Sequence, residues 1–184
     1  VLESLNWACQ DQFTNPKMTS IVKGLPIVYC IVNNHFGMTG RADGEVTGVD
    51  FLARRGAGFD LENMRAEVVN GMDVMAVRDA LQRARKIVEA GKGPVLLELN
   101  TYRYYGHSLS DPRNEYRTKN EEEKWKQVDP LFVFRKRLLD EGIFSDKEIE
   151  TIEKQVTERN AKAARRAVDS PDPEPEDVIK YMYT

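Results

Sequence analysis

Leu25 to Val32 is an unbroken apolar run rich in β-branched residues, set behind Lys23-Gly24. Such a run predicts a central parallel strand buried on both faces. A second run, Pro94-Val95-Leu96-Leu97-Glu98-Leu99, predicts a strand over 95–101. Between them Ala66 to Asn70 reads as a short strand ending at Gly71. Asp73 then caps a helix whose apolar positions are Val74, Val77, Leu81, Ala84 and Val88, and Gly91 ends it. Upstream, Val1, Leu5, Ala8, Cys9 and Phe13 follow the helical period until Thr14-Asn15-Pro16 stops it. The glycine-rich stretch from Gly37 to Gly48 is a loop, and Asp50 to Arg55 makes one or two helical turns. Strand, long connection, strand, helix, strand is α/β order. Right-handed crossovers then give a mostly parallel sheet with flanking helices.

After Pro112 the pattern changes. Lys119 to Lys126 is charged. Pro130 to Glu141 predicts a helix with Leu131, Phe134, Leu138 and Leu139 on one face. Ser145-Asp146-Lys147-Glu148 is a capping box. It opens a long charged helix to Val168 with sparse apolar positions Ile149, Ile152, Val156 and Ala163. Asp169 to Glu176 is a proline-rich acidic linker, and Asp177 to Thr184 a tail with aromatic residues. The expected organisation is an α/β domain over 1–118 and a helical C-terminal extension over 119–184. A mostly polar helix is a solvated face or a surface for a partner subunit.

Composition changes this picture little. The 184 residues form an amount of chain suited to one ordinary domain, and the net charge of -3 brings no basic run that would suit nucleic acid. No apolar stretch reaches membrane-spanning length. The two cysteines, Cys9 and Cys30, have no metal or CxxC spacing and read as reduced core thiols. Val1 to Leu5 shows no initiator Met or targeting peptide and reads as the middle of a helix, so the expectation is the carboxyl-terminal part of a longer protein.

The candidate chemistry lies in the loops after the two apolar strands, where open α/β sheets place ligands. Tyr102-Arg103-Tyr104-Tyr105-Gly106-His107-Ser108-Leu109-Ser110-Asp111-Pro112 holds an arginine, one of only two histidines, two serines and an aspartate. That inventory suits an anion: cationic donors, hydroxyls, and a glycine that lets backbone approach closely. The same residue types also make an ordinary surface loop. In that second reading His107 is solvated and Arg103 pairs with Asp111. After the first strand comes Asn33-Asn34-His35-Phe36-Gly37-Met38. An asparagine oxygen is a hard donor for Mg²⁺, and the Phe36 carbonyl two residues on could reach the same ion. Asn-Asn can equally just make the turn.

These two stretches carry a resemblance. The loop resembles the phosphorylation-loop signature of alpha subunits of the pyruvate dehydrogenase decarboxylase component, within the thiamine-diphosphate-dependent 2-oxo acid dehydrogenases. The Asn-Asn stretch resembles the end of that family's thiamine diphosphate motif. Asn70-Gly71-Met72-Asp73-Val74 and Gly91-Lys92-Gly93-Pro94 stand between them in the expected order, and specific motifs run from Val1 to about Tyr116. The resemblance implies the thiamine diphosphate-binding fold, with Mg²⁺ and thiamine diphosphate as cofactors. It implies oxidative decarboxylation of pyruvate with transfer of the acetyl unit to a lipoyl group. Asn34 and the Phe36 carbonyl would ligate the metal. Asn34, Arg103, His107 and Ser108 would bind cofactor, and His107, beside the diphosphate, is the one candidate catalytic residue here. The partners implied are a beta subunit, which supplies the activating glutamate, and the lipoyl domain of the acyltransferase component.

Two departures matter. The family's second metal ligand is an aspartate in a Gly-Asp-Gly turn, and this chain contains none, so the turn is expected just before Val1. Ser108 matches a serine phosphorylated in mitochondrial relatives. Glu115, however, stands where the second such serine would be. That argues against kinase control and favours a bacterial-type, cytoplasmic enzyme, with the mitochondrial matrix as the alternative. Acetoin and branched-chain 2-oxo acid dehydrogenases are close relatives; the latter tend to carry His-His after the glycine, which this chain lacks. A nicotinamide-dependent oxidoreductase would show G-x-G-x-x-G after a strand, and none exists. A non-catalytic assembly fragment is the remaining alternative.

Overall fold

A computed structural model of the chain describes residues 25–38, 40–58, 64–112 and 115–180. The helix expected over Val1–Phe13, Cys9, and the end of the aromatic tail lie outside the described residues. The chain divides into two compact units, Val1–Phe134 and Arg135–Thr184.

In the first unit, strand β1 spans Val28–Asn33, and a two-residue ladder joins β2 (Phe36–Gly37) to β3 (Gly40–Arg41). A π-helical turn at Ala42–Val46 and a 3₁₀ helix at Leu52–Gly58 follow. Then come β4 (Arg65–Asn70), helix α1 (Val74–Glu89) and β5 (Val95–Asn100). Part of the stretch expected to be a plain loop therefore folds on itself. The three long strands form a parallel sheet in the order β1-β5-β4, which makes the fold α/β.

Among the described residues β5 is the central strand, with β1 and β4 on either side. Val95 to Glu98 are all buried, whereas β1 alternates and leaves Val32 53 % exposed. Among the described residues β1 pairs on one side only, so its apolar run is half covered. Cys30 shares that exposure and is a free surface thiol rather than a core one.

Alternation along β5 builds two cores. Leu97 and Val95 face α1, packing with Val69, Ala80, Ala84 and Val88. Leu96 points the other way, to Ile31, Leu52 and Met64. Gly56 permits this second layer: a Cβ there would meet the Ala66 Cβ at 2.8 Å. The ends of α1 form as the sequence dictates. The Asp73 carboxylate accepts from the Met75 and Ala76 amides at 2.8 and 3.1 Å. Gly91, at φ 67°, closes a Schellman motif through Gly91 N–H to the Val88 carbonyl and Lys92 N–H to that of Ile87. Sheet register places Asn33, Asn100 and Asn70 side by side at the carboxyl edge, so every described long strand ends in asparagine.

Helix α2 spans Lys119–Lys126, and the Thr118 hydroxyl caps it through the Glu121 amide at 3.2 Å. Helix α3 spans Pro130–Asp140, and the boundary between the units falls within it. Phe134, Leu138 and Leu139 are half-buried on α3, but Leu131 is 81 % exposed, because it lies in the first turn beyond their stripe. In the second unit helix α4 spans Asp146–Asp169 and short α5 spans Asp177–Lys180. The capping box of α4 is formed in both directions: Ser145 N–H donates to Glu148 Oε2 at 2.8 Å, and the Ser145 hydroxyl accepts from the Glu148 amide at 3.4 Å. Arg135 bridges to Asp146 and Glu153 at 2.9 and 2.7 Å. Ile149 is the buried apolar residue of α4. Among the described residues no helix is long and apolar enough to cross a membrane.

Candidate functional site

Where β1 ends, the chain turns through two overlapping Asx turns. Asn33 Oδ1 accepts from the His35 amide at 3.0 Å, and Asn34 Oδ1 accepts from the Phe36 amide at 3.0 Å. His35 sits at φ 65°, a left-handed conformation that costs a non-glycine residue energy unless its surroundings hold it. The turn-making reading of Asn-Asn is thus realised. An amide oxygen has two lone pairs, so Asn34 Oδ1 keeps one for a cation. Phe36 is fixed by its ladder to Arg41 and by burial, the residue being only 4 % exposed.

Beneath the turn lies Glu98. The lone charge of the central strand is fully buried at 0 % exposure. Its Oε1 accepts from Asn33 Nδ2 at 2.7 Å, and its Oε2 from the Ala53 amide at 2.7 Å. A buried carboxylate is tolerated only when its oxygens are hydrogen-bonded. Sequence reasoning did not single out Glu98, although a carboxylate within Val95–Leu99 is the signal that could have found it.

The loop after β5 is held from both ends. Arg103 donates to the Tyr105 carbonyl at 3.1 Å, the Met38 carbonyl at 2.8 Å and the Tyr116 hydroxyl at 3.3 Å. Its Nη2 lies 4.0 Å from Asp111 Oδ2, a long ion pair. Asp111 is the hub: Oδ2 accepts from the His107 amide at 2.6 Å and the Tyr116 hydroxyl at 2.5 Å. Gly106 allows this closure, since a Cβ there would meet the Asp111 Cβ at 2.8 Å and carbonyl oxygen at 3.0 Å. The close backbone approach expected of Gly106 is therefore made within the loop itself. His107 and Ser108 are exposed on the loop, and the Ser108 and Ser110 hydroxyls share a hydrogen bond of 3.0 Å.

Arg117, also missed from sequence, closes the loop's base. Its side chain is 0 % exposed and pairs with Glu122 at 3.0 Å. It donates to the carbonyls of Arg103, Tyr104 and Tyr105, and its guanidinium lies 5.5–5.6 Å from the rings of Phe36, Tyr102 and Tyr116. Five donors in a rigid fork suit such a clamp where lysine would not. Burial pushes the Tyr102 and Tyr116 phenols up, and the hydrogen bond to Asp111 raises Tyr116 further. Tyr104 is pushed up to about 12 by burial and then by Asp129.

Structure thus brings Asn34 and Phe36 together on one turn and His107 and Ser108 on one loop, with Arg103 joining turn to loop through Met38. A cavity of about 140 Å³ beside the turn is lined by Asn33, His35, Ala42, Thr47, Val49, Asp50 and Leu52. It is smaller than the ~300–1,000 Å³ typical of cofactor pockets. A larger concavity of about 390 Å³ on the outer face of α1 contains none of the candidate residues. Neutral oxygens on the turn fit the donor chemistry of Mg²⁺. Among the described residues no three His, Cys, Asp or Glu side chains converge to hold a metal ion.

Residues 8–176 match the family described as the dehydrogenase E1 component. The chain belongs to that family. It is 36 % identical over 177 residues to the testis-specific mitochondrial pyruvate dehydrogenase E1 alpha subunit of Rattus norvegicus, covering 96 % of this chain and 44 % of that protein. The corresponding mitochondrial subunit of Dictyostelium discoideum is 35 % identical over 167 residues, 90 % of this chain and 42 % of the relative. The subunit from Rickettsia conorii is 35 % identical over 160 residues, 87 % of this chain and 48 % of the relative. The chain therefore spans somewhat under half the length of these relatives. As an E1 component chain it joins mitochondrial and bacterial relatives alike.

Proposed function

We propose that this chain is part of the alpha subunit of a pyruvate dehydrogenase and holds the diphosphate end of thiamine diphosphate between the Asn33–Phe36 turn and the 103–112 loop. The carrying observation is the hydrogen bond from Arg103 to the Met38 carbonyl, which ties those two segments together. When bound, thiamine diphosphate supplies the electron sink for decarboxylating a 2-oxo acid. Asn34 Oδ1 and the Phe36 carbonyl would hold Mg²⁺. His107 and Ser108, exposed on a tethered loop, would donate to the diphosphate. Arg103 and Arg117 fix the loop's shape, and Asp111 sets the His107 backbone.

A beta subunit would complete the site, as the family resemblance implies. That subunit and a lipoyl domain are the proposed protein partners, pyruvate the proposed substrate, and acetyl transfer to lipoyl the proposed outcome. Residues 119–184, helices α2 to α5, form the proposed C-terminal helical extension, with the exposed face of α4 as contact surface. The names of the relatives support pyruvate as substrate.

The test is thiamine diphosphate binding to the alpha–beta assembly across a Mg²⁺ series. Asn34→Ala should weaken binding at low Mg²⁺ and recover in part at high Mg²⁺. Unchanged affinity at low Mg²⁺ returns Asn34 to a turn-maker only. The chain without a beta subunit should not turn over pyruvate, and measurable turnover would refute a shared site.

A further inference from the structure

We infer that Glu98 is a positioning residue for the Asn33–Phe36 turn, acting through Asn33; the inference rests on the proposal that this turn holds Mg²⁺. Glu98 touches neither Asn34 nor Phe36 by hydrogen bond. It touches what shapes them. Oε1 takes Asn33 Nδ2 at 2.7 Å, which fixes the orientation of the Asn33 amide. The amide oxygen, pointed the other way, then takes the His35 N–H at 3.0 Å. That bond holds His35 in its left-handed conformation at φ 65° and so aims the two residues on either side, Asn34 and Phe36. Oε2 takes the Ala53 amide at 2.7 Å, anchoring the same carboxylate to the start of the 3₁₀ helix.

Packing alone does not call for a carboxylate here. Its neighbours on β5 are Leu97 and Leu99, and an apolar residue would fill the position without the desolvation cost. A carboxylate is the side chain that offers two acceptors to two fixed donors. Glutamine cannot replace it: its NH₂ would face either Asn33 Nδ2 or the Ala53 N–H, donor against donor. The chemistry permits one exchange. In Glu98→Gln with Asn33→Asp, the glutamine oxygen accepts from Ala53 and its NH₂ donates to one Asp oxygen. The other Asp oxygen still accepts from His35. One negative charge and three hydrogen bonds are kept.

The experiment uses the parent chain assembled with its beta subunit. It reads the Mg²⁺ concentration for half-maximal thiamine diphosphate binding, and hydrogen exchange at the His35 amide by mass spectrometry. Glu98→Gln should raise the Mg²⁺ requirement and His35 exchange by roughly ten- to a hundredfold, the worth of one hydrogen bond to a charged group. The double variant should bring both back to within about threefold of wild type, since its donors and acceptors are again matched. A residue that merely stabilises the core would lower thermal stability and leave the Mg²⁺ requirement of the folded enzyme unmoved. Should Glu98→Gln fail to fold, Asn33→Ser is read instead. Its hydroxyl can still accept from His35, but the link to Glu98 is gone, so the Mg²⁺ requirement should rise.

Asn34→Ala, run in parallel, separates this inference from the proposal beneath it. If Asn34→Ala shifts the Mg²⁺ requirement and Glu98→Gln changes neither readout, the inference is overturned and the metal site stands. If Asn34→Ala shifts nothing while His35 exchange follows the swap, the metal site falls and the positioning role of Glu98 survives. A double variant no better than Glu98→Gln overturns the inference.

Discussion

Arg103 Nη2 donates to the Met38 carbonyl at 2.8 Å across 65 positions of sequence. The same guanidinium reaches the Tyr105 carbonyl at 3.1 Å, so one side chain joins the turn after β1 to the loop after β5. Arg103→Ala leaves both carbonyls without that donor. A hydrogen bond to a charged group contributes about 1.5–3 kcal/mol, less where water can take its place. The sheet does not depend on it, so the fold should persist. The expected result is faster amide exchange and protease cleavage within 104–112, with unchanged exchange in β4 and β5. Loop protection equal to wild type would show that Asp111 and Arg117 suffice.

Gly106 and Asp111 give a second test of the same loop. A methyl at position 106 would sit 2.8 Å from the Asp111 Cβ and 3.0 Å from its carbonyl oxygen. Backbone and a Cβ cannot swing aside as a flexible side-chain tip can. Gly106→Ala should therefore displace Asp111 and break its bond to the His107 amide, at a cost of about 1–3 kcal/mol if the loop stayed closed. Because the loop can open instead, thermal stability should fall little while cofactor affinity falls sharply. A variant with wild-type affinity would show that loop closure at Gly106 is not needed for the site.

Much of this arrangement was legible in the sequence, for physical reasons that can be named. Asp73, Gly91 and the Ser145–Glu148 box act through their own backbone neighbourhood, so their caps follow from local spacing. The Val95–Leu99 run announced a buried strand because burial on both faces removes alternation. Among the described residues β1 stands at the sheet's edge: an apolar run shows that a strand is buried, not which neighbours cover it. Leu131 failed similarly, since a helical stripe does not show where along the helix its cover ends. Glu98 was missed because its partners are far away in sequence, and Arg117 because what it holds is mainly backbone. Asn33 lies 65 positions from Glu98, and the carbonyls held by Arg117 are identified by no residue type.

His107 and Ser108 stand exposed on the tethered loop, and the Ser108 hydroxyl is 3.0 Å from that of Ser110. If the imidazole contacts the diphosphate directly, His107→Ala should weaken thiamine diphosphate binding roughly ten- to a hundredfold. Ser108→Glu should weaken it more than Ser108→Ala, because a carboxylate would face an anion. Thermal stability should be close to wild type in all three. Calorimetric affinities of the two Ser108 variants in the assembled enzyme decide the matter. Equal affinities would place the loop away from the diphosphate.

The base of the loop should make stability sensitive to alkaline pH. Burial, and then the hydrogen bond with Asp129, push the Tyr104 phenol from its ordinary 10.0 up to about 12. Its hydroxyl also donates to the Trp125 carbonyl at 3.4 Å. The folded chain therefore keeps a proton that the unfolded chain releases. Between pH 10 and about 12 the unfolded state binds fewer protons, so stability must fall as pH rises. The contribution is fully present below the ordinary phenol value and is lost as pH passes the raised one. Tyr102 and Tyr116, raised by burial, tilt the profile the same way. Tyr104→Phe has no phenol to ionise. It should be slightly less stable at neutral pH, by about 1 kcal/mol for the lost hydrogen bond, yet decline less steeply above pH 10. Urea midpoints measured for both proteins from neutral pH to about 12 should converge as pH rises. Parallel profiles would show that the Tyr104 proton is not held by the fold.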